Sequence, residues 1–168
     1  MMKNTSSNYA KVLYQLSVSN ESVIEAEEVL RENPHLVKAL ASPVVPVEKK
    51  YNIVDKIFPG DIKNFIKVVC KNGRITEIFD IFLEYKNYSN EVKGIVEANL
   101  YYVEKPTEEQ QERLKKFVKK RLNAKEVVLC MTESPDLLGG FVIEAKGHRF
   151  DRSYKNRLKA LNRKLVRR

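Results

Sequence analysis

The amino-acid sequence predicts a mainly α-helical fold: an N-terminal six-helix bundle over residues 1–90, followed by a small α+β domain over residues 91–168 in the order β-α-β-β-α. Three observations carry this. Up to Tyr85, apolar residues recur at three- and four-residue spacing, with helix breakers between the runs. From Gly94 onward, stretches of alternating or β-branched residues take over. A chain of 168 residues, 43% hydrophobic, can fill one ordinary core or two small ones.

In the first helix Tyr9, Val12, Leu13 and Leu16 share a face. A second follows Asn20 as N-cap, with Val23, Ile24, Val29 and Leu30 inward and Glu25, Glu27 and Glu28 outward; Asn33-Pro34 ends it. A short third piece stops near Ser42-Pro43. Pro46 opens a fourth carrying Tyr51, Ile53, Val54 and Ile57, closed by Pro59-Gly60. Asp61 is placed to cap a fifth helix with the stripe Ile62, Phe65, Ile66, Val69 and Cys70, and Gly73 stops it. A sixth runs from Ile75 through Ile78, Phe79, Phe82 and Tyr85.

Beyond Gly94, the segment from Ile95 to Val103 reads as a strand. Thr107 and Gln110 have the spacing of a capping box that opens a helix with Leu114, Phe117, Val118 and Leu122 on one side. Val127 to Met131 is a candidate buried strand, Gly140 to Ala145 another, with Pro135 and Gly139-Gly140 marking the turn between them. A last helix, entered at Asp151-Arg152-Ser153, carries Tyr154, Leu158, Leu161 and Leu165 four, three and four apart, the pattern of a helix packed on a core.

Chemistry-bearing groups are sparse. There is no apolar run near the roughly eighteen residues of a membrane-spanning helix. Met1 to Ala10 has neither a secretory apolar region nor an Arg-rich transit pattern, so a cytosolic location is expected. Cys70 and Cys130, each among apolar neighbours, are expected to be small core hydrophobes rather than a disulfide. His35 and His148 belong to no metal-ligand cluster, and His35 reads as an exposed first-turn residue. A Cys130–His148 thiolate pair has nothing in the sequence to orient it. Gly139-Gly140 leads into Phe141-Val142-Ile143 rather than the Gly-Lys-Ser/Thr of a phosphate loop, so the glycines read as turn residues. Glu97, Glu133, Asp136 and Glu144 are scattered rather than paired for acid–base work.

The net charge of +9 is unevenly spread. Residues 1–93 hold 13 basic and 12 acidic side chains, whereas residues 94–168 hold 18 and 10. In the last twenty residues nine Lys or Arg face the single acid Asp151. Three readings of this basic tail stay open: a solvated face, an acidic protein partner, or nucleic acid, the last without evident base-stacking aromatics.

Three segments carry a family resemblance. Tyr9-Ala10-Lys11-Val12-Leu13-Tyr14 resembles the first-helix motif Tyr-Ala-Lys-Ala-Leu-Phe of the ATP synthase delta subunit and its mitochondrial counterpart, the oligomycin-sensitivity-conferring protein. Asn64-Phe65-Ile66-Lys67, leading to Lys71-Asn72-Gly73-Arg74, is similar to the family's fifth helix and its Glu-Asn-Gly-Arg close. Pro135 to Ile143, with Gly147, Asp151, Ser153, Arg157 and Leu158, resembles the signature of the C-terminal domain, departing from it at Glu133, Ser134, His148 and Arg152.

The resemblance implies a non-catalytic stator subunit without cofactor, one copy per complex. It would be held at the cytoplasmic face of the bacterial plasma membrane only through that complex. The bundle would receive the N-terminal helix of an alpha subunit in a groove that carries over to Tyr9, Val12, Asn64, Phe65 and Val68. The second domain would hold the C-terminal region of the b subunit, with Gly139, Gly140, Asp151, Arg157 and Leu158 as contact or structural residues. Direct nucleic-acid binding is not implied. In this reading Phe65→Asp is expected to abolish alpha binding at near-native helicity.

Overall fold

The structure, a computed structural model, describes residues 2–166. It divides into two compact units, residues 1–89 and 90–168. Leu165, Arg163, Lys164, Arg167 and Arg168, named above for the last helix and the basic tail, lie outside the described side chains.

The first unit contains α1 (Met2–Gln15), α2 (Asn20–Glu32), α3 (Pro34–Ala41), α4 (Val47–Ile57), α5 (Lys63–Lys71), a 3-10 turn (Ile75–Glu77) and α6 (Ile78–Lys93), whose last turn passes into the second unit. Its core is sealed by side chains such as Leu13, Leu30, Val54, Ile66 and Ile78, all within 1% of complete burial. One expected inward residue is not there: Ile24 is 55% exposed. Val23, Ala26 and Leu30 lie close together around the helix, and Ile24, about 100° beyond Val23 on the side away from Ala26, falls toward solvent. The buried set of α2 is Val23, Ala26 and Leu30.

Two caps also differ from expectation. The N-cap of α2 is Ser19, whose Oγ accepts from the Ser22 N–H at 3.1 Å, while Asn20 Oδ1 accepts from the Tyr85 hydroxyl at 3.0 Å. Asp61 does not cap α5, which starts without a side-chain cap; its Oδ2 accepts from the Ser19 backbone N–H at 3.1 Å. The Ser22 hydroxyl, with Ser19, holds the Asp61 carboxyl below its ordinary pKa. At the far end of α5, Gly73 N–H donates to Cys70 O and Arg74 N–H to Val69 O, both at 3.0 Å, which satisfies two last-turn carbonyls.

The second unit runs β1 (Ile95–Tyr102), α7 (Glu108–Leu122), β2 (Glu126–Glu133), a 3-10 turn (Pro135–Leu137), β3 (Phe141–Ala145), β4 (His148–Asp151) and α8 (Tyr154–Val166). The sheet order is β2-β1-β3-β4. β1 and β2 are parallel across the α7 connection, and β3 is antiparallel to both β1 and β4. The capping box at α7 forms as spaced: Gln110 N–H donates to Thr107 Oγ1 at 3.4 Å and Thr107 N–H to Gln110 Oε1 at 3.0 Å. One face of the sheet buries Val96, Ala98 and Leu100 with Ile143, Ala145 and Val118 of α7.

β4 is a strand beyond the expected order. It is four residues of mostly polar character, invisible to periodicity, and it pairs because Lys146 (φ 46°) and Gly147 (φ 76°) make a two-residue hairpin turn with both central φ positive. β2, expected to be a buried strand, lies at a sheet edge. Val128 and Met131 are 43% and 38% exposed, and Cys130 is exposed rather than in a core. β1 and β3 separate Cys130 on β2 from His148 on β4, so these two do not pair.

α8 is entered through Asp151, whose Oδ1 accepts from Ser153 N–H at 3.0 Å and from Ser153 Oγ at 2.7 Å; Ser153 Oγ in turn accepts from Asn156 N–H at 3.2 Å. The expected core-packed stripe is instead open, with Tyr154, Leu158 and Leu161 each 54–56% exposed. The start of α8 lies against the start of β3. Tyr154 N–H donates to Gly139 O at 3.0 Å, and Arg152 N–H to Phe141 O at 2.9 Å. A Cβ on Gly140, whose φ is +79°, would stand 2.4 Å from the Arg152 carbonyl oxygen, which is backbone and cannot step aside.

Two outcomes follow. Gly140→Ala will destabilise the second unit by more than about 1 kcal/mol, read as a lowered melting temperature. A thiol reagent at neutral pH will modify Cys130 in the folded protein and Cys70 only on unfolding, since Cys70 is buried and burial pushes its thiol up to about 11.

Candidate functional site

α1 and α5 each carry two apolar faces. On α1, Ala10 and Leu13 go into the core while Val12, and Leu16 in the turn directly after the helix, stay 47% and 55% exposed. On α5, Phe65, Ile66, Val69 and Cys70 are buried while Val68 is 49% exposed. The second faces meet in a groove of about 460 Å³ lined by Asn8, Tyr9, Val12, Leu16, Asn64, Phe65 and Val68. All five residues expected in the groove line it. Asn8 and Leu16 complete it, and their signal was helical spacing: Asn8, Val12 and Leu16 are successive four-residue steps along α1 and the turn that continues it.

The residues have different jobs. Phe65, 3% exposed, is the floor and belongs to the core. Tyr9 is half-buried and meets Phe65 edge-on, ring centroids 6.3 Å apart at 79°. The Tyr9 hydroxyl accepts from Asn72 Nδ2 at 2.8 Å. Val12, Leu16 and Val68 form open walls, and the carboxamides of Asn8 and Asn64 stand exposed at the rim. Such a surface is suited to burying apolar area rather than to bond-making chemistry. Phe65→Asp is therefore not a clean probe, because the carboxylate would be buried without a partner and would act on the fold.

The second expected set is only partly gathered. Gly139 and Gly140 line a concavity of about 600 Å³ with residues including Leu100, Leu114, Phe141 and Tyr154. Asp151 is occupied in holding the start of α8. Hydrogen bonds from Ser153, with the nearby Arg149 and Lys159 charges, keep its carboxyl below the usual range. Arg157 and Leu158 lie exposed on α8, outside that concavity, in a surface that also carries Leu161, Lys155 and Lys159. Among the described residues no three His, Cys, Asp or Glu gather to hold a metal ion, and no helix is long and apolar enough to cross a membrane.

Comparison with known proteins agrees across the chain's length. The sequence model of the family described as "ATP synthase delta (OSCP) subunit" matches residues 5–165. Similar relatives include the ATP synthase subunit delta of Lactiplantibacillus plantarum, 26% identical over 95% of this chain and 94% of that one. The proteins of the same name from Alkalihalophilus pseudofirmus and Lachnoclostridium phytofermentans are 28% and 29% identical, covering 94% and 98% of this chain and 93% and 97% of theirs. The fold resembles a chain in the cryo-EM structure of the Toxoplasma gondii mitochondrial ATP synthase hexamer, with a TM-score of 0.64 at 16% identity over 96% of this chain and 97% of that chain.

The division of labour in the groove is measurable by denaturation. Phe65→Ala will cost about 3 kcal/mol or more, as core aromatic truncations do. Val12→Asp and Val68→Asp, on open walls, will each change stability by less than about 1 kcal/mol.

Proposed function

This chain belongs to the ATP synthase delta (OSCP) subunit family, and on that premise we propose that its helical unit binds the N-terminal helix of an alpha subunit while its α+β unit holds the C-terminal region of the b subunit. The protein is a non-catalytic stator subunit. Its work is mechanical. Rotor torque would drag the catalytic head round, and a chain that grips the head at one end and the stalk at the other opposes that rotation. One copy per complex serves, at the cytoplasmic face of the bacterial plasma membrane, with the membrane reached only through the complex.

The observation that carries the reading is the open groove between α1 and α5, whose walls Val12, Leu16 and Val68 are apolar yet about half exposed. Exposed apolar side chains gathered in one concavity mark an interaction site. Their placement on two helices suits an amphipathic helix as occupant, with Phe65 and Tyr9 as aromatic anchors. On the other unit, Leu158 and Leu161 beside Arg157 and Lys159 form a surface that suits an acidic, partly apolar stalk segment.

Isothermal calorimetry with a peptide of the alpha N-terminal helix tests the head-side assignment. Val68→Asp will weaken binding by about 30-fold or more, equivalent to about 2 kcal/mol, with the melting temperature of the free protein near wild type. Unchanged affinity would remove the groove from the interface.

A further inference from the structure

The α1–α5 groove is bracketed at both ends by hydrogen bonds that join its two walls. At one end Asn72, the residue after α5, donates from Nδ2 to the Tyr9 hydroxyl at 2.8 Å. At the other, the Ser19 backbone N–H beyond α1 donates to Asp61 Oδ2 ahead of α5 at 3.1 Å. Tyr9 precedes Ser19 in the chain whereas Asn72 follows Asp61, so the walls run antiparallel with one tie at each mouth.

The Asn72 tie acts on Tyr9, the half-buried aromatic residue of the groove. An edge-on contact with Phe65 leaves the Tyr9 ring able to pivot about that contact; a fixed hydroxyl removes the pivot. Asn72 has a rigid base from which to do this, since its own backbone N–H closes the last turn of α5 on Val68 O at 3.1 Å. A partner that meets an already oriented ring loses less side-chain freedom on docking.

We infer that Asn72 is a positioning residue of the groove: its hydrogen bond to Tyr9 orients the aromatic wall against which an incoming apolar helix packs, and Asn72 does so without lining the groove itself. This rests on the reading that the groove receives the alpha subunit's N-terminal helix.

The test is calorimetry of the full chain with a synthetic peptide of that helix, using wild type, Asn72→Ala, Asn72→Asp, Tyr9→Phe and the Tyr9→Phe/Asn72→Ala double variant, with melting temperatures alongside. Asn72→Ala will weaken binding about five-fold, the order of the cost of ordering one freed side chain on docking, with the melting temperature lowered by no more than the loss of one exposed hydrogen bond. Asn72→Asp will restore affinity to within about two-fold, because the carboxylate accepts from the Tyr9 hydroxyl, which can donate as well as accept. Tyr9→Phe will match Asn72→Ala, and the double variant will be no weaker than Tyr9→Phe alone. Wild-type affinity in Asn72→Ala, or a further loss in the double variant, would overturn the inference and leave the groove reading standing. A wild-type chain that does not bind the peptide would overturn both.

Discussion

The contact on which the rest of the helical unit depends is the edge-to-face meeting of Tyr9 and Phe65. Phe65 is almost wholly buried and faces the core, yet its ring also floors a groove open to solvent. One side chain thus fills the interior and floors the groove. A groove built this way cannot collapse on itself, because closing it would require moving an aromatic ring that close packing holds in place. The same coupling makes the groove sensitive to core changes, so that its walls and not its floor are the places where recognition can be altered separately from stability.

The α+β unit uses backbone geometry for a comparable end. β4 exists because a two-residue turn forces the chain back along β3, and α8 starts where it does because Gly140 lets the backbone of Arg152 approach closely. Ser153 Oγ then accepts from the Asn156 N–H in the first turn of α8, and Asp151 holds Ser153 in place through its N–H and hydroxyl. With its start anchored, the helix holds Tyr154, Leu158 and Leu161 outward with basic neighbours, an apolar strip in a positive setting. The two units therefore offer different chemistry, an apolar groove lined by no charged residue and a basic apolar strip.

Much of this was legible in the residues because helices and strands announce themselves by period. The stripe Ile62, Phe65, Ile66, Val69 and Cys70 is buried as spaced, and the Thr107–Gln110 box forms as spaced. The groove residues were legible for another reason: they were carried over from a family resemblance, and Val68 flanks rather than joins the α5 stripe. What periodicity missed was of two kinds. Caps were misplaced by one residue at Ser19 and by a whole role at Asp61, because a carboxylate at a helix start reads the same whether it caps its own helix or bonds to another. Strands were misjudged at β2 and β4, because burial depends on which neighbours cover a strand, and a short polar strand has no pattern to read.

The sequence by itself determined the helical and mixed halves, the positions of most helices, the asymmetry of charge and the absence of a membrane-spanning run, all of which follow from local composition and spacing. Tertiary structure decided the rest: that Val12, Leu16 and Val68 converge on one groove, that Tyr9 is tied to Asn72 sixty-three residues away, and that Leu158 and Leu161 of α8 face out instead of in. The physical reason is that an apolar side chain has the same hydrophobicity wherever it lies, and only packing settles whether another part of the chain covers it or leaves it open for a partner.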